Sequence, residues 1–367
     1  MPKRILIVTR FFHPDITPRA FRAYELAKEF SRQGHDVTVL TTKREFDYSY
    51  IEQRFGFCVQ AIVKSEPDQI QGDGLKRVIR FILQWLFLYP SILLTGSFKK
   101  SLKHEAGYDL LISIAYPFPV HFGVALAKKK NKALCKTWVA DCGDPFVGVG
   151  TARLPAPFYF HWLERWFCKK PDYISVPIDE AKPAFPLEYQ NKIRVIPQGF
   201  DFSEINPNYE KSFNAVPTFA YAGTVSTGPL DRDPRDFLNF LCQLELDFKF
   251  IIYTRNYSLV EPYQKMLGKK LEVRCYIPRN ELLDVLGKMD FLINFEIESK
   301  VQKSSKLIDY ALVQRPILSM KPLDIDKIAL KEFLIGNYEK QLEIDDIENY
   351  NIKSIANKFI NLAEVSK

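Results

Sequence analysis

The sequence predicts an α/β chain built as two doubly wound, Rossmann-like domains. Two observations carry this. Short apolar runs of strand length alternate with segments of helical spacing in two successive blocks. A polar stretch over residues 206–217 separates the blocks and reads as a linker. The chain has 367 residues, 47% of them hydrophobic, with no low-complexity run and no internal repeat, so it can bury two sizeable cores.

Residues 5–9 read as a buried strand. Helical spacing follows over 18–32, where Phe21, Tyr24, Leu26, Ala27 and Phe30 recur, and Gly34 ends the run. The next strand spans 37–41. This β–loop–α–β unit implies a parallel sheet. Later strands fall at 58–63, 110–114, 137–140, 173–176 and 193–196. The second block has strands at 218–222, 249–253, 271–276 and 291–294, with helices at 237–244 and 280–288. A helix over 352–362 returns to brace the first domain. The expected domains are therefore 1–205 and 206–350, with 351–367 as the bracing segment. The two domains are expected to face a central cleft. His35, just after a helix-ending glycine, reads as structural.

Charge is uneven. Residues 1–200 hold 29 Lys and Arg against 19 Asp and Glu; the rest hold 22 against 25. A basic first half favours an anionic partner. No nucleic-acid motif is visible, so a membrane surface is the better candidate. Residues 78–98 support it. They are rich in Phe, Trp and Tyr, are interrupted by Arg80, Gln84 and Pro90, and are followed by Lys99, Lys100 and Lys103. That pattern suits peripheral contact with anionic lipid on the inner face of the cytoplasmic membrane better than a span. Six scattered cysteines without a C-x-x-C pair suit a reducing cytoplasm. The first apolar run is too short for a signal-peptide core.

In open α/β sheets, ligands sit beyond the carboxyl ends of the strands. The candidate site residues therefore follow strands. In the second block, Ser304 and Ser305 precede a segment with Leu307, Ile308, Ala311 and Leu312 at helical spacing. A helix start is an anion seat, Lys306 adds a charge for phosphate, and Asp309 one turn on can accept from sugar hydroxyls. Gly223 and Thr224 end a strand, where a small residue lets backbone N–H groups approach a phosphate. Arg232, with Arg235 as rival, can clamp a diphosphate. Asp231 and Asp233 form a D-x-D pattern, but such triplets are common by chance, and no metal site is expected.

In the first block, the loop holding Thr17 and Arg19 follows the first strand. His121 follows another strand, at the start of a helix, and Asp141 and Asp144 follow a third. These residues are expected to cluster at one rim, where a histidine and a carboxylate orient or deprotonate a sugar hydroxyl. No hydrolase elbow, H-E-x-x-H helix, Walker loop or complete G-x-G-x-x-G is present. The protease, esterase, NTPase and dehydrogenase readings are weakened accordingly.

Residues 306–316, KLIDYALVQRP, resemble the K-L-x-E-x-x-A-x-G-x-P segment of retaining family-4 glycosyltransferases. QGHDVTVLTT (33–42), DCGDPF (141–146), VIPQGFD (195–201), FAYAGT (219–224) and ELLDVLGKMDFLINF (281–295) resemble further segments of that family, in order. The resemblance implies a GT-B fold and transfer of a sugar from a nucleotide-diphosphate sugar to a saccharide or lipid-linked saccharide, in cell-surface polysaccharide assembly. It implies a catalytic set of Asp144, His121, Arg232 and Lys306, with no metal cofactor. Gly223, Thr224, Glu298, Ser304, Ser305 and Asp309 would join Arg232 and Lys306 on the donor, and Thr17, Arg19, His121, Asp141 and Asp144 would face the acceptor. The chain departs from the pattern at Asp309 and Gln314, where the family has Glu and Gly. Thr17 and Pro18 replace two glycines. The family's partner acid would fall on Val301, and Glu298 is the nearest carboxylate. The alternatives are a nucleotide-sugar epimerase or hydrolase of the same fold, or a non-catalytic binding subunit.

Overall fold

The computed structural model describes residues 1–42, 45–62, 74–147, 155–202, 214–227, 232–296, 306–322, 324–344 and 347–365. The chain divides into two units, residues 1–200 with 349–367, and residues 201–348. The first boundary lies five residues before the one read from composition.

Unit 1 runs β1 (Arg4–Thr9), α1 (Pro18–Arg32), β2 (Asp36–Thr41), α2 (Ser49–Phe55), β3 (Cys58–Ala61), α3 (Leu75–Phe87), α4 (Leu93–Ser101), β4 (Tyr108–Ala115), α5 (Pro119–Lys130), β5 (Cys135–Cys142), α6 (Phe160–Cys168), β6 (Tyr173–Val176) and β7 (Ile193–Val195). Its seven strands are parallel in the order β3-β2-β1-β4-β5-β6-β7. Ile5 to Val8 and Leu110 to Ile112 are wholly buried, the continuous apolar run that a strand covered on both faces needs. Each such side chain contributes about 1.5–3 kcal/mol on burial.

Unit 2 runs β8 (Thr218–Ala222), α7 (Arg235–Cys242), β9 (Lys249–Tyr253), α8 (Glu261–Leu267), β10 (Leu271–Arg274), α9 (Arg279–Leu286), β11 (Phe291–Phe295), α10 (Lys306–Leu312), β12 (Ile317–Met320) and α11 (Lys327–Leu334). The sheet is parallel in the order β10-β9-β8-β11-β12. One face packs Phe219, Phe250 and Phe291 with their rings 4.6–4.9 Å apart. The other packs Leu292 and Ala220 beneath Tyr310 and Val313 of the α10 segment.

The last helix, α12 (Ile352–Val365), belongs to unit 1. Its Ile352, Ile355, Ala356 and Phe359 pack with Ala23, Leu26, Ala27 and Phe30 of α1. Phe200 N donates to Tyr350 O, and Ile352 N donates to Phe200 O, tying the returning segment to the end of the first block.

The strand order reverses between β1 and β4 in one sheet and between β8 and β11 in the other. The carboxyl ends beside those points are where each unit can hold a ligand. The aromatic stretch forms two helices, α3 and α4, separated at Pro90. Among the described residues no helix is long and apolar enough to cross a membrane.

Candidate functional site

In unit 2 the site starts at Gly223, directly after β8. Its N–H donates to Tyr253 O at 2.7 Å. The Lys306 side chain lies across the backbone of Gly223, and a Cβ there would collide with Lys306 Nζ. With the lysine in this position, only glycine leaves the passage open. Lys306 thereby reaches from the start of α10 over the end of the sheet to Tyr221. Its Nζ is 3.3 Å from the Tyr221 hydroxyl and 4.8 Å from that ring's centroid, a cation–π contact. The Tyr221 hydroxyl donates to Thr224 O at 2.8 Å, while the Thr224 side chain is exposed. Tyr310 of α10 accepts from Ala222 N at 2.9 Å and fixes the helix to the same strand end.

Burial, helped by the neighbouring Arg232 guanidinium and against a smaller opposing pull from Asp309, brings the Lys306 ammonium down to about 7. Lys306 makes no ion pair among the described residues. This lysine is therefore poised to gain a proton when an anion arrives. Asp309 accepts from Arg279 Nε at 2.8 Å. Burial raises its pKa, and Arg279 and Lys306 oppose the rise. The carboxylate expected to meet a ribose thus also has a guanidinium partner on α9. Arg235 belongs to Asp233, with contacts of 2.6–3.0 Å, so it is not placed to serve as the free clamp. Ser304, Ser305, Glu298, Val301 and Asp231 lie outside the described residues. The described helix is seven residues long, so the anion-binding part of the site rests on side chains.

In unit 1 the expected rim is only partly a rim. Asp141, at the end of β5, is an interior ion centre. Its Oδ1 accepts from Arg22 at 2.8 Å and from the Ser175 hydroxyl at 2.7 Å. Its Oδ2 accepts from Arg22 Nε at 3.2 Å and from Arg19 at 3.4 Å. Burial alone would raise its pKa. The two guanidinium groups outweigh burial and hold it below the usual carboxylate range. Arg22, 2% exposed, also donates to Pro197 O and Ile196 O. Asp141 therefore braces α1 against β5 and β6 and has no oxygen left for an acceptor. That corrects its expected contact role.

His121 is likewise corrected. It is fully buried, with Nδ1 2.7 Å from Ser113 Oγ, Nε2 3.6 Å from Cys142 Sγ, and its ring stacked on Phe167 at 5.1 Å. Burial lowers its pKa to about 3. A neutral, enclosed imidazole of that basicity cannot take a proton from an acceptor hydroxyl. The reason lies in α5, where Pro119 to Ala125 are all buried, so the helix has no polar side at its start.

Thr17 caps α1, accepting from Ala20 N at 3.2 Å. Arg19 packs over Gly143, where a Cβ would lie within 2.9 Å of its guanidinium. Burial lowers the pKa of Arg19, Asp141 opposes this most strongly, and Asp144 is near enough to add to the opposition. Thr17, Arg19 and Asp144 are the residues of this group that the structure leaves partly exposed on unit 1, and Thr17 is engaged in the cap. Beneath the Asp144 loop, Glu164 of α6 accepts from Val147 N at 3.1 Å, and burial raises its pKa to about 7. Arg22, Gly143, Glu164 and Arg279 were not read as site residues from the sequence. The Arg19–Arg22 spacing on one helix face was the available signal for Arg22.

Solved structures share this architecture over the whole chain. A glycosyltransferase from Rickettsia africae ESF-5 matches with a TM-score of 0.64 at 12% identity, covering 100% of this chain and 98% of that one. The lipopolysaccharide outer core galactosyltransferase WaaB matches with 0.60 at 12%, covering 99% of each. Anabaena Alr3699/HepE, solved in complex with UDP-glucose, matches with 0.57 at 11%, covering 99% and 98%. At these identities the likeness speaks for the fold, which is GT-B. No curated protein sequence matches the chain. The family model Glycosyltransferase Family 4 matches residues 20–204, just over half of the sequence, and the chain belongs to that family.

Proposed function

We propose that this glycosyltransferase is a retaining enzyme. It moves a sugar from a nucleotide-diphosphate sugar to a saccharide or lipid-linked saccharide in the assembly of a cell-surface polysaccharide. The observation that carries the reading is the pair of Lys306 and Arg232 at the carboxyl end of β8, with Lys306 laid over Gly223. Burial and the neighbouring Arg232 guanidinium both disfavour the charged form of Lys306, and an anion arriving beside it relieves that penalty. A donor diphosphate is such an anion.

In the transfer, the acceptor hydroxyl oxygen bonds to the anomeric carbon as the bond from that carbon to the diphosphate oxygen breaks. The hydroxyl proton passes to the departing diphosphate, and the products are the glycoside and the nucleoside diphosphate. Charge develops on the leaving oxygen. Lys306 and Arg232, already in place, stabilise it without reorganisation. These cations make a divalent metal unnecessary, and transfer is expected to persist in excess EDTA. Arg19 and Asp144 of unit 1 are the groups we assign to the acceptor.

The same reading takes the acceptor from an anionic membrane surface by way of α3. Leu75, Val78, Ile79, Phe81, Ile82 and Phe87 are all exposed on that helix, which buries none of its side chains. Trp85 donates to Pro155 O at 3.1 Å, and Tyr159 donates to Leu86 O. These contacts bring the neighbouring exposed pair Phe158 and Trp162 to the helix. Lys76, Arg77 and Arg80 add positive charge, and the combination suits an interfacial helix on the cytoplasmic face.

The deciding experiment is a thermal-shift panel of UDP-, GDP-, ADP- and CMP-sugars, followed by mass spectrometry of the best binder with and without saccharide acceptors. A sugar added to the acceptor, with its anomeric configuration kept, supports the reading. Free sugar or an epimerised donor formed without acceptor would replace it with hydrolysis or epimerisation. Binding to none of the panel would remove the donor site.

A further inference from the structure

The end of β11 carries a polar relay that the donor-site reading does not use. Asn294, 5% exposed, donates from Nδ2 to Ser319 Oγ on β12 at 2.7 Å. Ser319 Oγ donates to Glu296 Oε1 at 3.0 Å. The backbone of Glu296 is fixed as well, its N–H donating to Met320 O at 2.9 Å. Because Asn294 supplies a proton to the serine oxygen, the serine's own proton is directed at Glu296. One carboxylate oxygen is thus held. The other has no hydrogen-bond partner among the described residues.

The place of this relay matters. β8 and β11 are the two strands between which the order of the sheet reverses. Their register pairs Phe291 with Phe219 and Leu292 with Ala220, so continuing it sets Phe295 level with Gly223. Adjacent strands lie about 4.8 Å apart. Glu296 therefore leaves the sheet one residue beyond the level where Lys306 crosses Gly223. Strand periodicity gives its direction. Leu292 packs in the cluster that holds Tyr310 and Val313, and Asn294 and Glu296 follow it at steps of two. Glu296 thus stands on the face of the sheet that α10 covers, the helix that begins with Lys306.

A carboxylate and two cations at one sheet edge sort a ligand by charge. The cations take the diphosphate, and the carboxylate repels it. What a carboxylate accepts is the hydroxyl of a neutral group next to the phosphate, and in a nucleotide sugar that group is the sugar. We propose that Glu296 is a specificity-determining residue, with its second oxygen accepting a hydrogen bond from a hydroxyl of the donor sugar and Ser319 and Asn294 as positioning residues. The inference rests on the donor reading given above. A half-buried acceptor of fixed direction discriminates against the epimer that places the hydroxyl elsewhere, because it is then left unpaired.

The test separates the sugar from the nucleotide. Calorimetry measures binding of the free nucleotides UDP, GDP, ADP and CMP, and of their sugars, to the wild type, Glu296→Ala, the near-isosteric Glu296→Gln and Ser319→Ala. For the matching nucleotide, Glu296→Ala should change the affinity by less than about twofold. For its sugar, the affinity should fall about tenfold to a hundredfold, the range of a charge-assisted bond. Glu296→Gln should relax the preference between sugar epimers, and Ser319→Ala should do so more weakly. Unchanged affinity for the sugar and unchanged epimer preference overturn the inference, as does equal loss of the free nucleotide. Lys306→Ala is the independent control, since it should weaken the nucleotide itself. If no nucleotide binds the wild type, the donor reading fails and the role of Glu296 fails with it.

Discussion

Donor binding should take up a proton, and Lys306 is the group that takes it. In the free protein its pKa lies near 7 instead of 10.5, about 3.5 units down, because burial and Arg232 both penalise the ammonium. At about 1.36 kcal/mol per unit this is on the order of 5 kcal/mol of preference for the neutral amine. A bound diphosphate reverses the balance and returns the pKa towards its ordinary value. At pH 8 a group of pKa 7 is about 90% neutral, so binding should absorb about 0.9 proton there, about 0.5 at pH 7 and about 0.1 at pH 6. Affinity should accordingly fall about tenfold from pH 8 to pH 9 and level off below about pH 6.5. A nucleotide sugar is the better ligand for this test, since both its phosphates are esterified and neither titrates in the window. Tyr221 and Tyr310, pushed upward by burial, stay protonated throughout.

The assay is titration calorimetry in pairs of buffers with different ionisation enthalpies, from pH 6 to 9. Lys306→Ala should abolish both the proton uptake and the pH slope. It should also cost the roughly 1.5–3 kcal/mol of a charge-assisted bond when measured at pH 6.5. The stability of the free protein should respond with the opposite sign. Between about pH 7 and 10.5 the unfolded chain holds a proton on Lys306 that the folded chain does not, so the unliganded protein gains stability as pH rises through that window. A flat affinity profile between pH 7.5 and 9, or the same slope in Lys306→Ala, would refute the assignment of Lys306 to the diphosphate.

Three other outcomes follow from the geometry. Asp141→Ala leaves the buried Arg22, and the partly exposed Arg19 beside it, without their carboxylate and should destabilise unit 1 by about 3–5 kcal/mol in chemical denaturation; a loss under 1 kcal/mol would mean that the Arg22 guanidinium reaches water. Glu164 has a folded-state pKa near 7 against 4.5, so the unfolded state loses its proton first, and stability should fall as pH rises from about 4.5 through 7. Glu164→Gln should flatten that part of the profile, and an unchanged profile would count against burial as the cause. The wild type should co-sediment with anionic vesicles at low salt and release as salt rises, with about 1 kcal/mol from each basic side chain near the surface; Phe81→Asp and Arg77→Glu should each weaken binding, and no binding at low salt removes α3 from the membrane reading.

The fold was legible where local signals were strong. The bounds 18–32 for α1 and 218–222 for β8 follow from capping, periodicity and flanking glycines, and the structure has the same ones. β12 was not read, since ILSM is four residues long, follows a proline and shows no alternation. Side-chain roles were less legible than elements. His121 and Asp144 both follow strands, and spacing alone treats them alike. What separates them is packing contributed by Phe167, 46 residues after His121 in sequence, and by Cys142. Arg22 pairs with Asp141 across 119 residues, and no local pattern reports a contact of that range. Glu296 was passed over because the family pattern directs attention to Val301 and Glu298, while its relay partner Ser319 lies on the strand that was not read.

The charge count and the local charge point to different halves of the molecule. By composition, the first 200 residues carry the positive excess. At the carboxyl ends of the unit 1 strands that excess is cancelled within the protein. Arg19 and Arg22 face Asp141 and Asp144, two cations against two carboxylates. In unit 2, which lies within the acidic part of the sequence, Lys306 stands near Arg232 at the strand ends, and Arg279 pairs with Asp309. Lys306 makes no ion pair among the described residues and lies in a partly dry setting, where a charge is worth more than on an open surface. Net charge therefore bears on the proposed meeting of the first unit with an extended anionic surface at long range. It does not predict where a compact anion is held. The setting of Lys306 bears on that, and on the donor reading proposed above the diphosphate sits in the unit whose overall charge is unfavourable to it.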